Sequence, residues 1–109
     1  KWNGEVISTS SSKSVRSIYS GKIVFSDWIK GYGLMLIIDH GEKVMSIYAN
    51  NKVLLKKSGD YVKKGDEVAM SGSSGGNKGN SIYFEIRQNG IPQDPHEWCS
   101  IKNKFSLAQ

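Results

Sequence analysis

The residues best suited to metal binding or nucleophilic chemistry are the histidines and the cysteine, and they do not form a complete site. His96 and Cys99 lie three positions apart, but two ligands do not make a structural zinc site. His40 stands between Asp39 and Gly41 at a predicted hairpin end, where a turn or structural role is expected rather than ligation. A single cysteine also excludes an internal disulfide framework.

Residues 80–87 form the most regular polar and apolar pattern in the chain. The apolar set is Ile82, Phe84 and Ile86, and the polar set is Ser81, Tyr83, Glu85 and Arg87. This strict alternation predicts a strand with one buried face. Tyr83 and Arg87 on the other face are of the types that dominate binding energy at protein interfaces. The flexible loop at residues 71–79, rich in glycine and serine, is placed to form one wall of a groove over this strand.

Further strand patterns, separated by turn residues, occupy the rest of the chain. Residues 22–28 are rich in β-branched and aromatic types, and residues 34–38 are continuously apolar, as in a central strand covered on both faces. Residues 44–50 alternate again. This pattern predicts that Met45, Ile47 and Ala49 point into the core and that Ser46, Tyr48 and Asn50 point outward. No helical period of useful length occurs, so the sequence predicts an all-β domain.

The composition is that of one soluble globular domain with a basic balance. The chain has 109 residues, is 38% hydrophobic and carries a formal charge of +5, and no apolar run is long enough to span a bilayer. It begins at Lys1 without a methionine or leader, so we expect a fragment of a longer protein. Much of the excess charge lies at Lys52, Lys56, Lys57, Lys63 and Lys64. These lysines indicate either a patch for an anionic partner (nucleic acid, acidic wall polymer or lipid headgroups) or a solvated loop face. Without interleaved aromatic residues the second is favoured.

A series of motifs, in unbroken order from about Trp2 to Trp98, resembles the LytM or lysostaphin-like zinc peptidase domain. The motifs lie at residues 21–24, 31–33, 38–41, 48–50, 62–66, 72–75 and 83–90. The resemblance implies a mostly antiparallel sheet with a groove between loops. Active members bind zinc through an H-x-x-x-D pair and the second histidine of an H-x-H strand, and further histidines assist catalysis.

Those five catalytic positions carry other residue types in this chain. By resemblance they fall on Trp2, Val6, Asn50, Ser81 and Tyr83. Valine has no donor atom, the indole N–H only donates, and a neutral tyrosine is a poor zinc ligand. Without zinc ligands no water is activated, so the resemblance predicts a degenerate, non-catalytic member that uses no metal or other cofactor.

Within the degenerate group, the chain is most similar to the EnvC-type murein hydrolase activators of Gram-negative bacteria. The likeness is carried by residues 2–7, 27–34, 72–76 and 81–87. It implies a periplasmic, septal protein of cell division that binds a zinc-dependent N-acetylmuramoyl-L-alanine amidase and relieves its autoinhibition. It also implies an upstream coiled coil tied to an inner-membrane ABC-type complex.

The groove left by the lost metal site is predicted to bind the regulatory helix of the amidase. Its predicted lining is Val6, Tyr32, Tyr48, Asn50, Ser81, Tyr83 and Arg87. A tyrosine-rich trough with one cation suits an amphipathic helix or an extended peptide. Arg87 has a second interpretation, which is pairing with Glu85 or Asp39.

Two other functions stay open: a zinc-independent peptidoglycan-binding module and an active zinc endopeptidase of the cell wall. No nucleic-acid function is expected. The degenerate LytM domain is predicted to span residues 1–100 and a tail residues 101–109.

Overall fold

The computed structural model describes residues 4–9, 11–76 and 79–94, and this part of the chain is built from β-strands. The strands are β1 (Glu5–Ser8), β2 (Ser14–Arg16), β3 (Gly21–Ile29), β4 (Gly33–Asp39), β5 (Val44–Leu54), β6 (Tyr61–Val62), β7 (Glu67–Ser71), β8 (Ser81–Gln88) and β9 (Ile91–Gln93). The predictions at Trp2, His96 and Cys99, and the boundary at residue 100, lie outside the described residues.

The strands form a single antiparallel sheet in which β5 and β8 are central. The main order is β1-β8-β5-β4-β3-β6, while β7 joins β2 to β5 and β9 pairs with β8. All of these pairings are antiparallel, so the predicted all-β class and antiparallel sheet are confirmed. Among the described residues no helix is long and apolar enough to cross a membrane.

One face of this sheet forms the main hydrophobic core. The buried members are Val15, Ile18, Ile23, Leu36, Ile38, Tyr48, Val62, Val68, Ala69, Ile82, Phe84 and Ile86. The alternation predicted for β8 is confirmed, because Ile82, Phe84 and Ile86 are fully buried here. β3 reaches this core through Ile23.

The opposite face carries a second, smaller apolar cluster. Its buried members are Met35, Ile47 and Ala49, and the partly buried residues around them are Phe25, Ile29, Ile37 and Tyr83. A register shift between Ile23 and Phe25 lets β3 contribute to both faces. β4 is therefore apolar on both sides, as its continuous apolar sequence predicted.

The prediction that one side of β5 points outward is wrong, although Ile47 and Ala49 are buried as predicted. Tyr48 has no exposed surface and faces the main core, where its ring lies 5.5 Å from that of Phe84. Its hydroxyl accepts hydrogen bonds from the Ile18 amide at 3.2 Å and the Ser46 hydroxyl at 2.8 Å. Polar groups are tolerated in a core when they are hydrogen-bonded to one another. The polar character of Ser46 and Tyr48 therefore did not show which side of β5 faces solvent.

His40 continues this polar chain from the core to the surface. Its Nδ1 lies 2.8 Å from the carbonyl oxygen of Ser20, and its Nε2 lies 2.6 Å from the Ser46 hydroxyl. Burial lowers the pKa of His40, although the hydrogen bond with Ser20 and the Asp39 carboxylate act in the opposite direction. His40 therefore has the structural role that its position in the sequence indicated.

We expect the free energy of unfolding to decrease as the pH falls below 6.5, the ordinary pKa of histidine. Folding lowers the pKa of His40, so the unfolded chain binds a proton more readily, and the contribution is complete only above that pH. Urea denaturation at about pH 7.5 and about pH 5.5 measures the effect. The decrease in unfolding free energy between these two pH values should be smaller in His40→Gln. An equal decrease in both proteins would show that His40 is not the group responsible.

Candidate functional site

The second apolar face is the floor of an open surface that we call the trough. Its floor consists of Phe25, Ile29, Met35, Ile37, Ile47, Ala49 and Tyr83. Cross-strand pairing adds Val6, which is opposite Tyr83, and Arg87, which is opposite Met45. Val6 and Met45 are 55% and 38% exposed, so the trough presents apolar surface to solvent.

A small cavity of about 240 Å³ lies at one end of the trough. It is lined by Val6, Gly31, Tyr32, Asn50, Gly75 and Tyr83. The rings of Tyr32 and Tyr83 meet edge to face with their centroids 5.3 Å apart. Tyr32 comes from the β3–β4 turn and Gly75 from the loop before β8, while Val6, Asn50 and Tyr83 come from β1, β5 and β8, so two loops and three strands meet here.

The buried side-chain amide of Asn50 holds this end of the trough together. Its Nδ2 donates to the carbonyl oxygen of Gly72 at 2.9 Å and to Oγ of Ser81 at 2.6 Å. Its Oδ1 accepts from the Gly75 amide at 2.7 Å, and its backbone amide donates to the carbonyl oxygen of Tyr32 at 2.9 Å. Asn50 also has a positive φ of 66°, which asparagine tolerates better than most residues.

Two glycines allow the close approaches that shape the cavity. A Cβ atom at Gly75 would lie 2.6 Å from the carbonyl oxygen of Tyr32, and one at Gly4 would lie 2.6 Å from the Tyr83 ring. Gly4 also has a φ of 133°, a conformation that residues with a side chain rarely adopt. At Gly75 the backbone therefore lies against the backbone of Tyr32, whereas at Gly4 it lies against the side chain of Tyr83.

A buried carboxylate connects the tyrosine of the cavity to the cation of the trough. Glu85 is 3% exposed; its Oε1 accepts from the Tyr83 hydroxyl at 3.2 Å, and its Oε2 accepts from Nε of Arg87 at 2.6 Å. Burial first, and the Glu85 carboxylate second, raise the pKa of Tyr83, so the phenol stays protonated at neutral pH. Of the two pairings left open for Arg87, the structure shows the one with Glu85.

The predicted groove residues separate into three groups. Val6, Tyr32, Asn50 and Tyr83 line the small cavity, and Ser81 lies buried beneath it as the partner of Asn50. Tyr48 belongs to the core. Arg87 lines a second cavity of about 580 Å³ at the other end of the trough, with Asp39, Glu42, Lys43, Met45 and Asn89 among its neighbours.

Sequence reasoning missed the part that Glu85 and the apolar floor play in this site. The alternation of β8 placed Glu85 on the correct face, but nothing in the sequence signals its burial. The floor residues Met35 and Ile47 were assigned to a core, and the continuous apolar run of β4 was the available signal that this face is apolar too.

The architecture is that of the lysostaphin and LytM class of domains. The catalytic domain of lysostaphin from Staphylococcus simulans superposes with a TM-score of 0.80 at 27% identity, over 89% of this chain and 77% of that one. A structure described as LytU superposes with a TM-score of 0.84 over all of this chain and 81% of that one, at 21% identity. The family model for Peptidase family M23 matches residues 1–95, and the chain belongs to that family.

Curated relatives include proteins named as murein hydrolase activators. The chain is 40% identical over 98 residues to "Murein hydrolase activator EnvC" of Escherichia coli strain K12, covering 90% of this chain and 23% of that protein. It is 31% identical over 90 residues to "Murein hydrolase activator NlpD" of Salmonella dublin, covering 82% of this chain and 24% of that protein. The chain thus spans about a quarter of the length of these two relatives.

The resemblance predicts that Val6 and Tyr83 fall on metal positions of the family and Asn50 on a catalytic position, and the chemistry of these three side chains does not suit a zinc ion. Val6 offers no donor atom, and the Asn50 amide is already bonded to Gly72, Gly75 and Ser81. Tyr83 is a neutral phenol that donates to Glu85. Across the part of the chain that the structure describes, no three histidine, cysteine, aspartate or glutamate residues are grouped to hold a metal.

We expect Asn50→Ala to lower the free energy of unfolding by about 3 kcal/mol, because it leaves several buried polar groups unpaired. The matched control is Asn89→Ala. Asn89 also has a positive φ, of 55°, but it is exposed, so this change should cost about 1 kcal/mol. Urea denaturation of both variants gives the comparison, and equal losses would show that the amide contacts contribute little.

Proposed function

We propose that this chain is a non-catalytic activator of N-acetylmuramoyl-L-alanine amidases. Its trough binds the regulatory helix of the amidase and relieves autoinhibition. The observation that carries the proposal is the trough itself: an apolar floor flanked by the exposed Val6 and Met45, with two tyrosines at one end and a cation toward the other. The names of the EnvC and NlpD relatives as murein hydrolase activators support an activator role.

The dimensions of the trough suit a helix. β5 and β8 are paired from Val44 opposite Gln88 to Ala49 opposite Tyr83, which is six residue pairs and about 20 Å along the strands. A helix of that length has about 13 residues, and its diameter of about 10 Å covers two to three strands. An amphipathic helix laid there would cover the exposed Met45 and the partly buried Ile37 and Tyr83 with its apolar stripe.

The charges of the trough indicate how the helix is held. Arg87 uses Nε for Glu85, and within the described residues its two terminal nitrogens are available to a carboxylate or to the carbonyl groups at a helix C-terminus. Glu85 is then a positioning residue, since it fixes both Arg87 and Tyr83. Because Glu85 is almost fully buried and already bonded to both side chains, we assign it no contact with the partner.

Activation in this scheme needs no chemistry by the chain. A trough that binds the regulatory helix only after it has left the amidase active site stabilises the open amidase by the free energy of that binding. The free energy by which the chain shifts the amidase from its closed to its open form cannot exceed the difference between its binding free energies for the two forms. The absence of suitable zinc donors at Val6, Asn50 and Tyr83 supports a non-catalytic role for the domain.

The proposal places the chain in the periplasm of a Gram-negative bacterium, at the septum. There the whole protein would be linked through an upstream coiled coil to an inner-membrane ABC-type division complex. The Gram-negative sources of the EnvC and NlpD relatives support the envelope as its compartment.

We expect Arg87→Ala to weaken amidase binding by about 2 kcal/mol, which is a factor of about 30.

Tyr83→Ala should abolish stimulation of dye release from labelled peptidoglycan by the amidase. Titration calorimetry and the release assay measure the two effects. Trp28→Ala is the matched control, because this tryptophan is 54% exposed and opposite Leu34 on the other face of the sheet.

The test must separate binding from folding, because Arg87→Ala leaves the Glu85 carboxylate buried without its cation. The double variant Arg87→Ala with Glu85→Gln removes that unpaired charge. It should recover stability in urea denaturation while amidase binding stays weak. Unchanged affinity in either variant would remove Arg87 from the site.

The enzyme alternative gives opposite results. An active endopeptidase would bind one zinc ion per chain and cleave cross-linked wall peptides in a reaction that chelators abolish. We expect no increase in thermal stability on addition of zinc and no cleavage. A stoichiometric zinc ion would overturn the non-catalytic assignment.

A further inference from the structure

A second exposed surface lies at the β6 edge of the sheet, away from the small cavity. Tyr61 is 77% exposed, more than any other large hydrophobic side chain in the described ranges. Its cross-strand partner is Lys22, whose Nζ lies 5.6 Å from the centre of the Tyr61 ring. A cation at this distance is attracted to the ring, so the two side chains form one amphipathic unit.

Lysines give this edge a positive charge. Lys63 and Lys64 follow the buried Val62 directly in the chain, and both are exposed. The turn is fixed, because the Lys63 amide donates to Oδ2 of Asp66 at 2.8 Å. We call Tyr61, Lys22, Lys63 and Lys64 the Tyr61 patch.

The lysines of the Tyr61 patch are not neutralised within the described part of the chain. Lys22 is opposite Asp39 in the sheet, but the two do not form an ion pair, and Asp39 accepts a hydrogen bond from the Gly41 amide instead. Asp60 and Asp66 are turned inward to cap their own turns. The lysine side chains are therefore available to an anionic ligand.

The Tyr61 patch is separate from the helix-binding part of the trough. Tyr61, Lys22, Asp39, Met45 and Arg87 are successive partners across five strands, from β6 to β8. At about 4.8 Å per strand, Tyr61 is about 19 Å from Arg87. A helix on β5 and β8 thus leaves the patch uncovered, and both ligands can bind together.

We propose that the Tyr61 patch binds an acidic glycan, that is, a polymer of N-acetylated sugars that carries carboxylates. An exposed aromatic ring offers a flat face to the apolar side of a sugar ring, and the lysines complement carboxylates by charge. Murein has this chemistry, and it appears in the names of the two activator relatives. This site goes beyond the amidase-binding trough and would hold the activator on the polymer that the amidase cleaves.

The experiment is co-sedimentation of the chain with purified murein sacculi. We expect Tyr61→Ala, and separately the double variant Lys22→Ala with Lys63→Ala, to weaken binding by about tenfold each. Binding should also weaken at 1 M salt, where the screening length falls to about 3 Å. Trp28→Ala and Lys52→Ala are the matched controls, because each removes an exposed side chain of the same type outside the patch, and both should bind like the unchanged chain.

The outcomes separate this site from the trough. Tyr61→Ala should keep its stimulation of the amidase in solution, and Tyr83→Ala should keep its binding to sacculi. Equal sedimentation of all variants would overturn the proposal. So would patch-dependent binding to phosphatidylglycerol vesicles without binding to sacculi, since that result assigns the lysines to a lipid surface.

Discussion

One buried amide, that of Asn50, determines the shape of the candidate site. It bonds the loop before β8 at two points, through Gly72 and Gly75, and it bonds β8 itself through Ser81. Its backbone adds the turn that carries Tyr32. The loop before β8 therefore depends on an Asn50 side chain that is 1% exposed, and the turn of Tyr32 depends on the backbone of the same residue.

The polar groups that the sequence predicted at the family's catalytic and metal positions are internal structural groups in this chain. They are the amide of Asn50, the hydroxyl of Ser81 and the phenol of Tyr83, and each of them is hydrogen-bonded within the chain. Removing these polar side chains from water costs free energy, and their hydrogen bonds within the chain offset that cost without a metal ion. These hydrogen bonds satisfy the polar groups of the groove within the fold of Peptidase family M23.

The sequence predicted the strands better than it predicted the site. The alternation of β8 and the continuous apolar run of β4 were reliable predictors. The apolar residues of β8 pack on one face of the sheet, and those of β4 pack on both faces. Tyr48 was misplaced, because its hydroxyl finds partners in the core that no local pattern reveals. The pairing of Arg87 was open for the same reason: sequence shows which residues share a face but not how close their side-chain atoms come.

The alternation of β8 restricts how this chain can change. Core residues and trough residues occupy successive positions, so inserting or deleting one residue in β8 would exchange Phe84 and Ile86 with Tyr83, Glu85 and Arg87. The core would then receive the charges, and solvent would receive the hydrophobic side chains. Specificity can therefore diverge through point replacements at alternate positions, whereas changes of length are confined to the connecting loops.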